Sequence, residues 1–409
     1  MGLVCGCCVS LFGCLCGQCS KVSPTTGYST RLPYLFFLLI SGVVALLLKY
    51  YAGDSLIDFF SYSVKICSEE LCAGNQAVLR ISFALALFFV TLLCVTPCFP
   101  SFHHQWWAIK FIYYAGLVVA CFYIPNDVFS VYGNIARVFG GVFLLIQIIL
   151  FIDFAYRWNE SWVEKGTKLY LGGLLAASLL LIMGSIVFWV LGFLWYAQSP
   201  SDSCEMENFF VAFTIVLCVI FTVLSISEWV EHGALLPSAI LTAYCTYLLY
   251  TALKSNPSAC NRFYTPGGSD DPPQIILGVV LLMCSISYSS WSISRNRNNL
   301  FGGATNQADA ATVAINDTGA MAKAQEEESE ILDPEVVKNN LYFHFIMLLA
   351  SMYMGMLLSD WASQTDDSES LIGAGKATMW VNMAAQWTAS ALYIWTLVAP
   401  KLLSNRDFS

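Results

Sequence analysis

The sequence predicts an all-α polytopic membrane protein, and three observations carry that expectation. Only 11% of the 409 residues are charged, whereas an average soluble domain carries roughly a quarter. That is too little charge to solvate a globular surface of this size. Hydrophobic residues make up 57% of the chain and aromatic residues 15%. The apolar residues also arrive in long blocks, and a block of about 20 crosses the hydrocarbon core as a helix.

Ten such blocks follow one another, at about 32–52, 77–97, 106–125, 129–156, 169–197, 208–230, 236–254, 274–293, 342–362 and 377–400. They divide the chain into a Cys-rich segment (1–31), spans one to eight (32–294), a polar insertion (295–341), spans nine and ten (342–400) and a short tail (401–409). An even number of spans places both termini on one side. Eleven Lys and Arg fall in the loops on that side and five on the other, which predicts cytoplasmic termini by the positive-inside rule. No basic run and uninterrupted apolar stretch opens residues 1–31, so a cleavable signal peptide is not expected.

The fourth block is unusual. From Val128 to Trp158 there is no proline, and a helix of that length measures about 46 Å against a core of about 30 Å. It must protrude or tilt, and length alone leaves open a strut between helix groups or a span with an amphipathic extension. By eye no internal repeat stands out, so an inverted-repeat transporter architecture gains no support.

The loops expected outside hold Cys67, Cys72, Cys204 and Cys260. Four cysteines in an oxidising compartment allow three pairings. Cys67 and Cys72 share a short loop, which favours Cys67–Cys72 and Cys204–Cys260. The sequons at Asn159 and Asn316 fall on the cytoplasmic side and are expected to stay unmodified.

Ionisable residues within the blocks are costly and mark functional candidates. Arg80, Lys110, Asp153, Glu228, His344 and Asp360 lie near predicted ends, where snorkelling accounts for most of them. Arg137 is the deepest, with Glu228 or a backbone carbonyl as its expected partner; Arg137, Glu228 and Asp360 are retained as intramembrane charge candidates. In the eighth block, "SISYSSWSIS" places Ser285, Ser289 and Ser292 on one helical stripe, with Tyr288 and Trp291 between the stripes. These five residues are candidates for a hydrated path that passes a lipid headgroup. Small hydroxyl residues equally permit close helix packing.

No P-loop, G-x-S-x-G elbow, H-E-x-x-H or D-F-G motif occurs, so neither catalysis nor an ATP-driven pump is expected, and no cofactor. The adjacent pair His103-His104 diverges on a helix and makes a poor metal site. The net charge of −9 is scattered over loops, and no basic stripe suits nucleic acid.

Four strings have a specific likeness. "IDFAYRWNESWVEK" (152–165), "SYSSWSISRN" (287–296), "FHFIMLLASMYMG" (343–355) and "LYIWTLVAPKLLSNRDF" (392–408) closely resemble the serine incorporator (Serinc or TMS) family of multi-pass membrane proteins. The resemblance implies ten helices in two subdomains crossed by a long diagonal helix, which matches the fourth block, and cytoplasmic termini in the plasma membrane, Golgi or endoplasmic reticulum. It implies ATP-independent scrambling of phospholipids such as phosphatidylserine, or serine supply to phosphatidylserine and sphingolipid synthesis. Bilayer modification with antiviral restriction is a third implied activity. Membrane phospholipids are the expected partners, and the oligomeric state stays open, a homo-oligomer included. The family also implies clathrin adaptor contact through the 295–341 loop. There "EEESEILDPE" resembles an acidic dileucine signal built on Glu327, Ile331 and Leu332, with Ile in place of the usual first Leu; a solvated acidic run is the plainer reading.

"CGCCVSLFGCLCGQC" holds Cys5, Cys7, Cys8, Cys14, Cys16 and Cys19. A cytoplasmic position disfavours disulfides, and the spacing between its two C-x-x-C pairs is short for zinc. Its apolar residues suggest an interfacial segment whose six cysteines are S-acylation candidates.

Overall fold

The structure, a computed structural model, describes residues 31–51, 70–196, 204–230, 233–261, 272–295, 334–359, 361 and 368–402. Within these there is no strand. The helices in chain order are α1 (Leu32–Tyr51), α2 (Glu70–Val95), the single turn α3 (Ser101–His104), α4 (Trp107–Phe122), α5 (Asn126–Glu164) and α6 (Lys168–Tyr196). There follow α7 (Glu205–Ile226), α8 (Leu235–Ser255), α9 (Pro272–Arg295), α10 (Pro334–Leu358) and α11 (Ser368–Leu402). Among the described residues, seven helices are long and apolar enough to cross a membrane, namely α1, α2, α5, α6, α7, α8 and α10. The chain is therefore an all-α, multi-pass membrane protein.

Proline sets many of the starts. Pro33, Pro237, Pro272, Pro273 and Pro334 all lie in first turns, where a missing N–H costs no helical bond. Pro125 precedes α5 with extended dihedrals (φ −61°, ψ 151°). At the other end of α5, Gly166 adopts φ +62°, the left-handed turn that closes helices and that glycine takes without a Cβ clash. With both stops so far apart, α5 runs for 39 residues. It extends past the predicted end through "NESWVE", and α10 likewise begins at Pro334, ahead of the predicted 342.

The helices pack as two groups. In one, α2 lies against α1, α4 and α10, and α9 joins through α10; in the other, α8 lies against α6, α7 and α11. Helix α5 contacts members of both. The central helices are the most enclosed: α8 is 72% buried and α6 only 22%. Leu169, Leu180, Met183 and Val187 stand exposed along α6, an apolar surface on a scale that soluble monomers rarely show.

Close contact depends on small residues at the α2–α10 seam. A Cβ on Gly355 would stand 2.7 Å from Ser82 Cβ. The Ser82 hydroxyl shares a 2.7 Å bond with Tyr132 and lies 2.9 Å from the Ser351 carbonyl. The α7–α8 hairpin is fastened at both ends. At its turn, Ser225 Oγ donates to Ala234 O at 2.8 Å and accepts from Ala234 N–H at 3.1 Å. At the open end Cys204 and Cys260 form a disulfide, with Cα atoms 5.9 Å apart. Beside it Asn256 Nδ2 and Ser258 Oγ donate to Glu207 Oε1 at 2.8 and 2.5 Å.

Snorkelling fails for three of the ionisable residues. Arg80, Lys110 and His344 are buried. Arg80 Nη1 donates to Gln76 Oε1 at 2.9 Å and Nη2 to Ile124 O at 3.3 Å, with the guanidinium 4.5 Å from the Phe129 ring centroid. Arg137 Nη1 donates to Asn134 Oδ1, one turn earlier, at 3.0 Å. Glu228 stands exposed in the turn that follows α7, where water can solvate it. Asp360 lies outside the described residues.

Candidate functional site

Near its C-terminal end, α5 carries "DFAYRW" from Asp153 to Trp158. Residues four apart share a helical face, so Asp153 meets Arg157 while Phe154, Trp158 and Ser161 line up beside them. Helix α9 brings Tyr288 across. Phe154, Arg157, Trp158, Ser161 and Tyr288 together wall a cleft of about 480 Å³.

The walls are aromatic. The Phe154 and Tyr288 ring centroids are 5.4 Å apart at 77°, and those of Phe154 and Trp158 are 5.7 Å apart. The string continues through Trp158–Trp162 and Trp162–Tyr170, each at 5.6 Å. Such tilted ring pairs contribute about 0.5–1.5 kcal/mol each beyond their buried area. Gly173 on α6 makes room for this string, since a Cβ there would lie 2.7 Å from Trp162 Cζ3.

One ionic group sits in this apolar frame. Arg157 Nε donates to both Asp153 carboxylate oxygens at 3.1 Å, and Tyr288 OH donates to Asp153 Oδ2. Asp153 thus spends its acceptors on holding Arg157 and Tyr288 in place. The Arg157 side chain remains about a third exposed, at 32%. Among the described residues, its Nη1 and Nη2 groups take no protein acceptor. A planar guanidinium with that edge open matches two oxygens of a phosphate.

Ser285 and Ser289, which the sequence nominated for a lipid path, are buried instead. Ser285 Oγ donates to Leu281 O at 2.8 Å and accepts from Gln147 Nε2 at 3.2 Å, so it knits α9 to α5. A serine hydroxyl at membrane depth that bonds its own helix leaves no polar group for lipid. Of the five candidates Tyr288 alone is seen lining the cleft. Trp291 and Ser292 lie in α9, but their side chains are outside the described set. The signal in the sequence that points to Arg157 is its i, i+4 spacing from Asp153 between aromatic residues.

Other nominated residues are placed as follows. Cys204 and Cys260 are joined. Cys67, Cys5, Cys7, Cys8, Cys14, Cys16, Cys19, Glu327, Ile331 and Leu332 lie outside the described residues, as does the side chain of Cys72. No group of three or more His, Cys, Asp or Glu among the described residues could hold a metal ion.

Comparison with known proteins bears on the whole chain. The family described as "Serine incorporator (Serinc)" matches residues 4–406. The chain belongs to the serine incorporator family. Its relatives include a "Probable serine incorporator" of Nematostella vectensis, 30% identical over 96% of this chain and 94% of that one. "Serine incorporator 3" of Bos taurus is 30% identical, with 97% of each chain covered. A "Probable serine incorporator" of Dictyostelium discoideum is 32% identical over 92% of this chain and 94% of its own length. In this member of the family the cleft, with Asp153 and Arg157, falls within the 152–165 string, and Tyr288 within the 287–296 string.

Proposed function

We propose that the chain is an ATP-independent phospholipid scramblase, acting on lipids such as phosphatidylserine in the plasma membrane or endomembranes, with both termini cytoplasmic. The observation that carries this reading is Arg157, held by Asp153 with its Nη edge open in an aromatic cleft on the surface of α5. Moving a lipid between leaflets means carrying its charged headgroup past hydrocarbon. Its barrier is lowered by a fixed cation for the phosphate and by a groove that leaves the acyl chains in the bilayer. No covalent step and no energy source are required when lipid moves down its own gradient.

The test is leaflet exchange in liposomes that contain the purified protein and a fluorescent phospholipid, quenched from outside without ATP. Wild type should expose the inner-leaflet label, and Arg157→Ala should slow that exposure several-fold. Rates equal to those of protein-free liposomes would overturn the proposal.

The relatives' names favour a second reading, a carrier or scaffold that supplies serine to lipid synthesis. Saturable uptake of labelled serine into the same vesicles, without leaflet exchange, would favour it. Altered bilayer order with neither activity would point instead to a structural modifier of the membrane, the reading that accommodates antiviral restriction. Adaptor binding through residues 295–341 is proposed separately, and loss of adaptor capture on Ile331→Ala/Leu332→Ala would be its signature.

A further inference from the structure

A second polar centre lies where α1 and α4 begin, against the part of α10 that carries Asn340 and His344. Arg31 Nη1 donates to Ser290 O and Nη2 to Asn340 Oδ1, both at 3.2 Å. The Lys110 ammonium donates to His103 O at 3.0 Å, and Tyr34 OH donates to the same oxygen at 2.8 Å. His103 Nδ1 lies 2.9 Å from His344 Nε2. This is a fully enclosed group: Lys110 is 1% exposed and both imidazoles 0%.

Lys110 has no carboxylate partner among the described residues. Nor does any carboxylate among them reach His103 or His344; the charged and titratable groups that act on the two imidazoles are Lys110, Arg31 and His104. Lys110 meets aromatic faces instead, with Nζ 4.0 Å from the Trp107 centroid and 5.0–5.1 Å from those of Phe102 and Tyr34. Cation–π contacts recover part of the cost of desolvation when Lys110 is protonated, but holding that charge without a counter-charge carries a penalty of several kcal/mol, which a bound anion would relieve.

The imidazole pair adds an unused donor. Two neutral rings that share one hydrogen bond leave one outer N–H and one outer lone pair, whichever tautomer is present. Those outer atoms, His103 Nε2 and His344 Nδ1, are buried and have no hydrogen-bond partner. The backbone beside them is strained as well. Trp106, between the histidines and Lys110, has φ 70° and ψ 34°, a left-handed conformation that costs a bulky residue about 1–3 kcal/mol and clusters at ligand sites. That turn points α4 so that Lys110 folds back onto the His103 carbonyl. Trp107, the nearest of the three rings to Lys110 Nζ, is itself only half-buried.

We propose that this centre is a phosphate-binding site, in which Lys110 and Arg31 neutralise a phosphate group and the outer imidazole N–H donates to it. Helices α1 and α4 start at this level, and the phosphates of a bilayer lie at the ends of the apolar spans. Basic pockets between transmembrane helices bind anionic headgroups at that level. The bound group is a phosphomonoester or phosphodiester anion, carried by a lipid or free. The site is separate from the Arg157 cleft and does not depend on scrambling.

The test is thermal unfolding of the full chain in a non-ionic detergent. Inorganic phosphate and a short-chain phosphatidic acid are titrated separately, each against chloride at equal ionic strength. At least one phosphate probe should raise the wild-type midpoint saturably by a few degrees, as binding to the folded state alone requires. Lys110→Met should abolish that rise, and Lys110→Arg should keep most of it. A rise with both probes identifies a site open to free phosphate, and a rise with the lipid alone identifies a headgroup site. If Lys110→Met does not fold, Arg31→Gln replaces it, with the same loss expected. No saturable rise with either probe, a rise matched by chloride, or one unchanged in both variants would overturn the proposal.

Discussion

Replacing both Cys204 and Cys260 by serine opens the covalent ring that closes the α7–α8 hairpin. The two residues are 56 apart in sequence, and loop-closure entropy for a ring of that size corresponds to about 4 kcal/mol at 25 °C. That value is a ceiling. In detergent α7 and α8 keep much of their helix, and the Ser225 clamp at the turn holds the pair, so the freed chain samples fewer states than a random coil. A loss of about 2–4 kcal/mol is expected, read as a lower unfolding midpoint of the double variant in detergent. Reductant should bring wild type down towards the variant and leave the variant unmoved. Equal midpoints for oxidised wild type and the double variant would refute the reasoning. So would alkylation of both cysteines in unreduced native protein, and that result would also remove the support for an oxidising outer face.

Asp153→Asn should cost about 1–2 kcal/mol in denaturant titration. The part-exposed ion pair accounts for about 0.5 kcal/mol of that and the Tyr288 bond for most of the rest; Tyr288→Phe should reproduce the larger share. Gly355→Ala forces a Cβ against Ser82 Cβ and should destabilise by about 1–3 kcal/mol, as read by thermal unfolding; an unchanged midpoint would contradict the close approach. Burial above all, with neighbouring cations adding to it, pushes the His103 imidazole well below its usual range near 6.5. Between that folded value and 6.5 the unfolded chain binds the extra proton. Stability is therefore complete above 6.5 and falls as pH drops below it, by up to about 1.4 kcal/mol per pH unit. His103→Gln should flatten the unfolding midpoint between pH 7 and 5 relative to wild type, and parallel curves would contradict the assignment.

The helical architecture was legible because its signals are local. Apolar blocks marked the membrane segments, and Pro125, Pro237 and Pro334 stand where the helices start. The extra reach of α5 was not, because "NESWVE" reads as a polar loop to any hydropathy window; it is helical because nothing before Gly166 stops it. The serine stripe shows the limit of pattern. Ser285 and Ser289 share a face, but whether that face meets lipid or another helix depends on Gln147, which is 138 residues away in sequence. Tyr288 and Asp153 could each be nominated but not paired, for the same reason. Lys110 misled most. Three residues into a helix, a lysine is expected to reach for water, and only the return of α10 with His344, 241 residues beyond His103, closes the space around it.

Helix α5 has a mechanical consequence. At 39 residues it is a rod of about 58 Å, and it touches both helix groups. Near one tip Arg80 grips Ile124 O and the Phe129 ring; towards the other lies the Arg157 cleft. A rigid rod that pivots near its middle by about 4° swings each tip by about 2 Å, in opposite directions. Widening the cleft between Tyr288 and Trp158 by such a tilt therefore loads the Arg80 mooring, and a bond to a single backbone carbonyl becomes a brake on an opening at the far end of the molecule.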